Sequence, residues 1–224
     1  MTYLDEKQHD IVTQAVARAE SETSGEIVTV LADRSDGYTD VALWWAVGIS
    51  FTAMSLLAAF PDAAVNTIDA LRGGWGGEWT QGEFVTLVLL VGLLAFLGIL
   101  ALQLWQPLKF ALIPSPVREQ RVREAGIRHF KVGAERRTHG RTGVLLYLSM
   151  REHRAEIVAD EPIAAQVPPE IWGEAMADML ADVSRGRIAN GLAAGVRDVG
   201  KVLAEHFPRA EDDENELPDR LIEL

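Results

Sequence analysis

Apolar positions along the chain fall into three successive patterns. Near the start, Leu4, Ile11, Val12, Ala15, Val16 and Ala19 recur at near-helical spacing, which predicts an amphipathic helix ending before Ser24-Gly25. Glu26 to Ala32 (EIVTVLA) is rich in β-branched residues and reads as a strand. A strand by itself leaves backbone donors and acceptors without partners. The second pattern supplies none, because Val41 to Phe60 and Phe84 to Leu108 carry no charge at all. At a rise of about 1.5 Å per residue, each stretch matches a hydrocarbon core of roughly 30 Å. A chain of 224 residues is too short to cover two such helices on every side. They read as a transmembrane hairpin, with residues 61–83 as its loop. Trp44, Trp45, Trp75, Trp79 and Trp105 lie at or near the span ends or in the loop, where an amphipathic indole favours the headgroup layer.

The third pattern returns to soluble periodicities. Val117 to Arg137 reads as a basic helix, with Val122, Gly126, Phe130 and Ala134 four apart and Pro114 and Pro116 at its start. Gly143 to Ser149 (GVLLYLS) is nearly continuously apolar, as in a central strand covered on both faces. A polar connection, MREH, leads to Arg154 to Ala159 (RAEIVA), so the two strands form a hairpin. Pro168-Pro169 opens a helix with one wide apolar stripe from Ile171 to Val183, stopped at Ser184-Arg185-Gly186. A last helix runs from about Ile188 to Phe207, with Ile188, Leu192, Val196, Val199 and Leu203 on one face. Both spans return the chain to the same side, so the Ile27 strand can pair with the strands at Val144 and Ile157. The expected organisation is a discontinuous α/β domain. Its first helix and strand occupy residues 1–40, a hairpin 41–108 interrupts it, the remainder fills 109–207, and an acidic flexible tail covers 208–224.

Charge adds orientation. The net charge of −12 excludes a general nucleic-acid binder. From Lys109 to Arg141, however, nine Lys/Arg residues stand against three acids, whereas the loop between the spans holds one arginine, Arg72. Lys/Arg residues close to a span end stay inside, so both termini are expected in the cytoplasm of a cell with the hairpin in its inner membrane. The first twenty or so residues are too polar for a signal peptide. The basic flank has a second reading, contact with anionic lipid headgroups through Lys109, Arg118, Arg121 and Arg123, each worth about 1 kcal/mol near the surface. The arginines can also pair with Glu119 and Glu124.

Chemistry is sparse. With no cysteine, thiolate zinc sites, disulfides and cysteine nucleophiles are absent. Asp33, Glu152, Asp160 and Glu161 stand at predicted strand ends, expected along one edge of the sheet. As hard oxygen ligands they suit Ca²⁺ or Mg²⁺; otherwise they are solvated loop carboxylates. His129, His139 and His153 form no HExxH pair, and Ser149 lacks a GxSxG context. The GGWGG cluster follows no strand and opens no helix, so it does not read as a phosphate turn. No catalytic constellation emerges.

The order of Ser24-Gly25-Glu26-Ile27-Val28, then Gly143-Val144-Leu145-Leu146, then the Arg154–Ala159 strand ending at Asp160, then two amphipathic helices resembles the TPM-domain family. That family includes thylakoid-lumen phosphatase-like proteins and many bacterial membrane proteins. The resemblance covers roughly residues 1–35 and 118–207. The hairpin inserted after the first strand, with Trp172 in a similar place, looks like a small membrane branch. The resemblance implies an α/β/α sandwich, acid-phosphatase-like hydrolysis, and divalent-cation binding by acidic loops. This chain departs from the family where it has Met150-Arg151-Glu152-His153 in place of an Asp-rich turn, and Ala159-Asp160-Glu161-Pro162 in place of a Gly-Tyr-Gly stretch. Two functions are expected: a membrane-anchored interaction or accessory module for another membrane or envelope protein, or a divalent-metal-dependent phosphatase.

Overall fold

A computed structural model of the chain describes residues 3–71, 73, 79–133, 142–210 and 215–224. Arg72, Trp75, most of the GGWGG cluster, Ala134 to Arg141 with His139, and the first acids of the tail, 211–214, lie outside the described residues.

The chain opens with α1 (Glu6–Glu20), whose first turn is closed by a capping box between Asp5 and Gln8. It continues through β1 (Glu26–Ala32), α2 (Thr39–Ala59), α3 (Pro61–Leu71), α4 (Gln81–Leu102) and α5 (Gln106–Ala111). Next come α6 (Ser115–Gly133), β2 (Gly143–Ser149) and β3 (Arg154–Ala159). The last elements are α7 (Glu161–Gln166), α8 (Pro169–Val183), α9 (Ile188–His206) and β4 (Ile222–Glu223). These elements divide into two compact units, 1–36 with 115–224, and 37–114.

The first unit is an α/β/α sandwich. Its sheet has the order β3-β2-β1-β4, with β1 parallel to β2 and β4, and β3 antiparallel to β2. Ile27 stands opposite Val144, and Ala32 opposite Ser149, so the two segments separated by the apolar hairpin form the centre of one sheet. Alternation along the strands sends side chains to two cores. Ile27, Leu31, Val144, Leu146 and Leu148 meet Val12 and Val16 of α1, Met179 of α8, and Leu192, Val196 and Leu203 of α9. Val28, Val30, Leu145 and Tyr147 meet Val122, Ala125 and Phe130 of α6 on the other face. Every residue of β1 and β2 is buried, whereas β3 is half-buried along its length.

The second unit holds two helices long and apolar enough to cross a membrane, α2 and α4. Only 17% and 6% of their most apolar windows is buried within the protein, so neither is enclosed in a core of the described residues. Where they meet, the Ser50 hydroxyl donates to the Gly92 carbonyl at 2.7 Å and Gln103 Nε2 donates to the Ala42 carbonyl at 3.1 Å. The loop side contains a helix the sequence pattern did not suggest, α3. The unit boundaries also fall a few residues outside 41–108. Lys109 Nζ donates to the Gly37 carbonyl at 2.6 Å, and the rings of Tyr38 and Phe110 meet edge to face at 5.8 Å, so both flanks belong to this unit.

The tail requires a correction. Residues 215–224 do not form a flexible acidic terminus. Leu217 and Leu221 are each 5% exposed, and β4 pairs with β1 through Val30 and Leu31. Apolar side chains interleaved among the acids anchor the segment, and part of the acid content bonds backbone N–H groups instead of facing water.

Candidate functional site

Because β1 and β2 run parallel, their C-terminal ends lie side by side, the place where open α/β sheets gather ligands. Pairing continues past the strands: Met150 N–H donates to the Ala32 carbonyl and Arg151 N–H to the Asp33 carbonyl, both at 3.0 Å. This brings Asp33 against the β2–β3 turn. Arg151 Nε donates to both Asp33 carboxylate oxygens, at 2.9 and 3.1 Å, and the Tyr3 hydroxyl donates to Asp33 Oδ1. The Tyr3 hydroxyl, with Arg151, holds the Asp33 carboxyl below its ordinary range.

Glu152 sits beside this pair and is 2% exposed. It accepts from the Ser149 hydroxyl and, at 3.0 Å, from the Ser35 N–H. Ser35 Oγ shares a 3.1 Å hydrogen bond with the Tyr147 hydroxyl, and the His129 ring stacks on Tyr147 at 5.6 Å. Burial, assisted by the neighbouring Arg128 charge, pushes the His129 imidazole below its usual pKa. His153 adopts a left-handed backbone, φ 50°, at the end of the turn. It borders a cleft of about 480 Å³ whose polar wall is Ser149, His153 and Ser184 and whose apolar wall includes Leu148, Met150, Leu180 and Val183.

The four acids marked in the sequence do not share one edge. Since β3 runs antiparallel to β2, Asp160 returns to the start of β2, where it accepts from the Gly143 N–H at 3.0 Å and is 5% exposed. Glu161 opens α7 beside it. Asp33 and Glu152 lie at the other end of seven residues of strand, roughly 20 Å away. Among the described residues no three His, Asp or Glu side chains converge as a metal site. The donor set as arranged does not fit Ca²⁺ or Mg²⁺: Asp33 already faces a guanidinium, and Glu152 and Asp160 are bonded to hydroxyl or backbone donors.

The basic candidates also divide. Lys109 is turned onto the Gly37 carbonyl in the second unit. On α6, Arg121 pairs with Asp36 at 3.2 Å and with Glu124 at 3.7 Å, and Arg123 reaches Glu156 at 3.8 Å while remaining 71% exposed. Arg118 Nε is buried without a partner. Glu119 pairs instead with Arg154, at 3.8 Å. Sequence reasoning missed Tyr3, Ser35 and Tyr147 at the sheet end, since no local motif marks residues whose partners lie 30 to 117 positions away.

Residues 116–202, from α6 through most of α9, match the family model of the TPM domain. No curated protein matches the chain. Among solved structures, the chain is similar to the BA42 protein from the psychrophilic bacterium Bizionia argentinensis, determined by NMR. The two are 16% identical with a TM-score of 0.57, over 100% of this chain and 97% of that one. At that identity the likeness concerns the fold alone.

Proposed function

We propose that the chain is a membrane-anchored TPM-like domain that serves as a non-enzymatic interaction or accessory module for other membrane or envelope proteins. The observation that carries this reading is the state of the carboxylates at the sheet end. Asp33 and Glu152, the two acids placed where such folds gather ligands, are both bonded within the protein, and the other two candidates are on the far side. The pair α2 and α4 supplies the anchor. The Lys/Arg excess following α4 favours an inner-membrane hairpin with both termini in the cytoplasm, and the exposed Arg123 is then available to anionic headgroups.

Gentle solubilisation followed by copurification tests the reading: a stoichiometric membrane protein partner supports it, and a clean homogeneous chain overturns it. Orientation is read by impermeant maleimide on intact cells, with single cysteines placed at Thr80 and at Ser184 of this cysteine-free chain. Labelling of position 80 alone agrees with a cytoplasmic domain, and labelling of position 184 alone reverses it. The second reading, a divalent-metal-dependent phosphatase, draws on the TPM match and on the position of Asp33 and Glu152 at the sheet end. Cation-dependent hydrolysis of a generic phosphate ester, lost in Asp33→Asn and kept in Asp160→Asn, would replace the first reading with this one.

A further inference from the structure

The segment 215–224 is acidic, yet it lies over the outer edge of β1 and is held by backbone hydrogen bonds. The Glu26 carboxylate accepts the N–H groups of Glu216 and Leu217, both at 3.1 Å. Leu224 N–H donates to the Leu31 carbonyl at 2.9 Å, and Asp33 N–H donates to the Leu224 carbonyl at 3.0 Å. The Glu223 carboxylate accepts from the N–H groups of Tyr3 and Leu4 and lies 3.5 Å from His9.

Next to this segment is a buried acid with no role in the site described above. Glu20, the last residue of α1, is 8% exposed. One of its oxygens accepts from the Ile27 N–H at 2.8 Å, on β1; the other is buried with no hydrogen-bond partner. The charges facing it come from Glu26 on β1 and Asp219 in the C-terminal segment, both carboxylates. Burial first, then these neighbours, push the Glu20 carboxyl up to about 8, against the Ile27 hydrogen bond.

We propose that Glu20 is a proton-dependent latch for the C-terminal segment: residues 215–224 stay closed over the outer edge of β1 while the Glu20 carboxyl is protonated, and lift when it ionises. Ionisation places a third negative charge beside Glu26 and Asp219 in a site with little water. Glu26 is fixed by the sheet, so the element free to move away and admit water is the segment carrying Asp219. The sign follows from linkage. The closed form holds Glu20 at about 8, and an opened, hydrated Glu20 returns toward the ordinary carboxyl value, so closure takes up a proton. Closure is therefore strongest below the ordinary Glu value, weakens as pH rises from there to about 8, and is level above it. Lifting the segment frees the outward backbone groups of Leu31 and Asp33, a strand edge able to pair with another chain.

The test uses the full chain in lipid nanodiscs. A single cysteine replacing the exposed Pro218 carries a nitroxide, and its mobility is followed from about pH 6 to about pH 9, where one linked proton changes the open-to-closed ratio by at most about tenfold per pH unit. The expected result is a label that is immobile at the lower pH and increasingly mobile as pH rises. In Glu20→Gln the label stays immobile throughout. In Asp219→Asn, which removes one facing charge and so lowers the closed-form carboxyl, the rise in mobility levels off at lower pH and reaches a smaller extent. A label immobile across the range in the parent chain overturns the proposal, as does an identical pH profile in parent and Glu20→Gln. If Glu20→Gln does not fold, a rise in Asp219→Asn that levels off at the parent's pH and extent overturns it equally.

Discussion

Arg151 Nε spans both carboxylate oxygens of Asp33, joining the turn after β2 to the residue that follows β1. With the Tyr3 hydroxyl on the same carboxylate, three segments far apart in the chain are fastened at one end of the sheet. Both side chains of the ion pair remain about a third accessible, so water screens the attraction and the pair contributes about 1 kcal/mol. Asp33→Asn should lower stability by about that amount, seen as a fall of about 2–4 °C in melting temperature for a protein of this size. The folded carboxyl is held below its ordinary value, so its contribution is full above that value and is lost as pH falls through the folded pKa. The difference in melting temperature between parent and Asp33→Asn should accordingly shrink under strongly acidic conditions; a gap unchanged across that window would refute the linkage.

Glu152 is bonded to the Ser149 hydroxyl and the Ser35 N–H in a nearly dry setting. Glu152→Ala strands both donors, which costs about 2–3 kcal/mol, whereas Glu152→Gln keeps the shape and one acceptor oxygen and should cost less. Thermal melts of the two variants in the same detergent give the ordering. Equal destabilisation would mean that the site needs both carboxylate oxygens, and that shape with one acceptor oxygen retains nothing.

Much of the soluble architecture could be read from local patterns. EIVTVLA, GVLLYLS and RAEIVA are strands with the residue bounds their composition suggests, because β-branched and continuously apolar runs report burial on both sheet faces. That β1 pairs beyond the apolar hairpin follows from its need for a partner, but the parallel direction of its pairing with β2 does not. The anchoring of the last ten residues escapes local patterns because half of them are polar, which conceals where Leu217 and Leu221 point, and because Glu26 and Glu223 bond backbone groups about 190 and 220 positions away in sequence. The acid set at the sheet was misplaced for a topological reason: the antiparallel return of β3 reverses the end at which Asp160 emerges. The hairpin already implies that reversal; what it leaves open is the parallel direction of β1, which sets Asp33 at the end away from Asp160.

The contact between α8 and α9 depends on a missing side chain. A Cβ built at Gly191 would lie 2.7 Å from the Met179 carbonyl oxygen and 2.7 Å from Val183 Cγ2. The carbonyl belongs to the α8 backbone and cannot swing aside, so Gly191→Ala must separate the helices. The cost expected for such overpacking is about 1–3 kcal/mol, with increased proteolysis between α8 and α9. Truncating the neighbour, Val183→Ala, should not rescue it, since the backbone oxygen remains; full rescue would show that the side-chain clash is the controlling one.

Gly92 presents the contrasting case inside the apolar hairpin. Here a Cβ would collide with Met54 Sδ and lie 2.7 Å from Met54 Cγ, with Ser50 Oγ at 3.4 Å. The obstacle is a flexible side chain on α2, and the Ser50 hydroxyl bond to the Gly92 carbonyl fixes how closely the helices approach. Gly92→Val should lower the melting temperature of the detergent-solubilised chain by the equivalent of about 1–3 kcal/mol. Adding Met54→Ala should recover most of that loss, because the space vacated by the thioether accepts the new methyl groups. Ser50→Ala alone should cost only about 0.6 kcal/mol, the usual worth of one interhelical hydrogen bond in an apolar setting. If the double variant Gly92→Val with Met54→Ala is no more stable than Gly92→Val, close approach of α2 and α4 at this point does not hold the hairpin together.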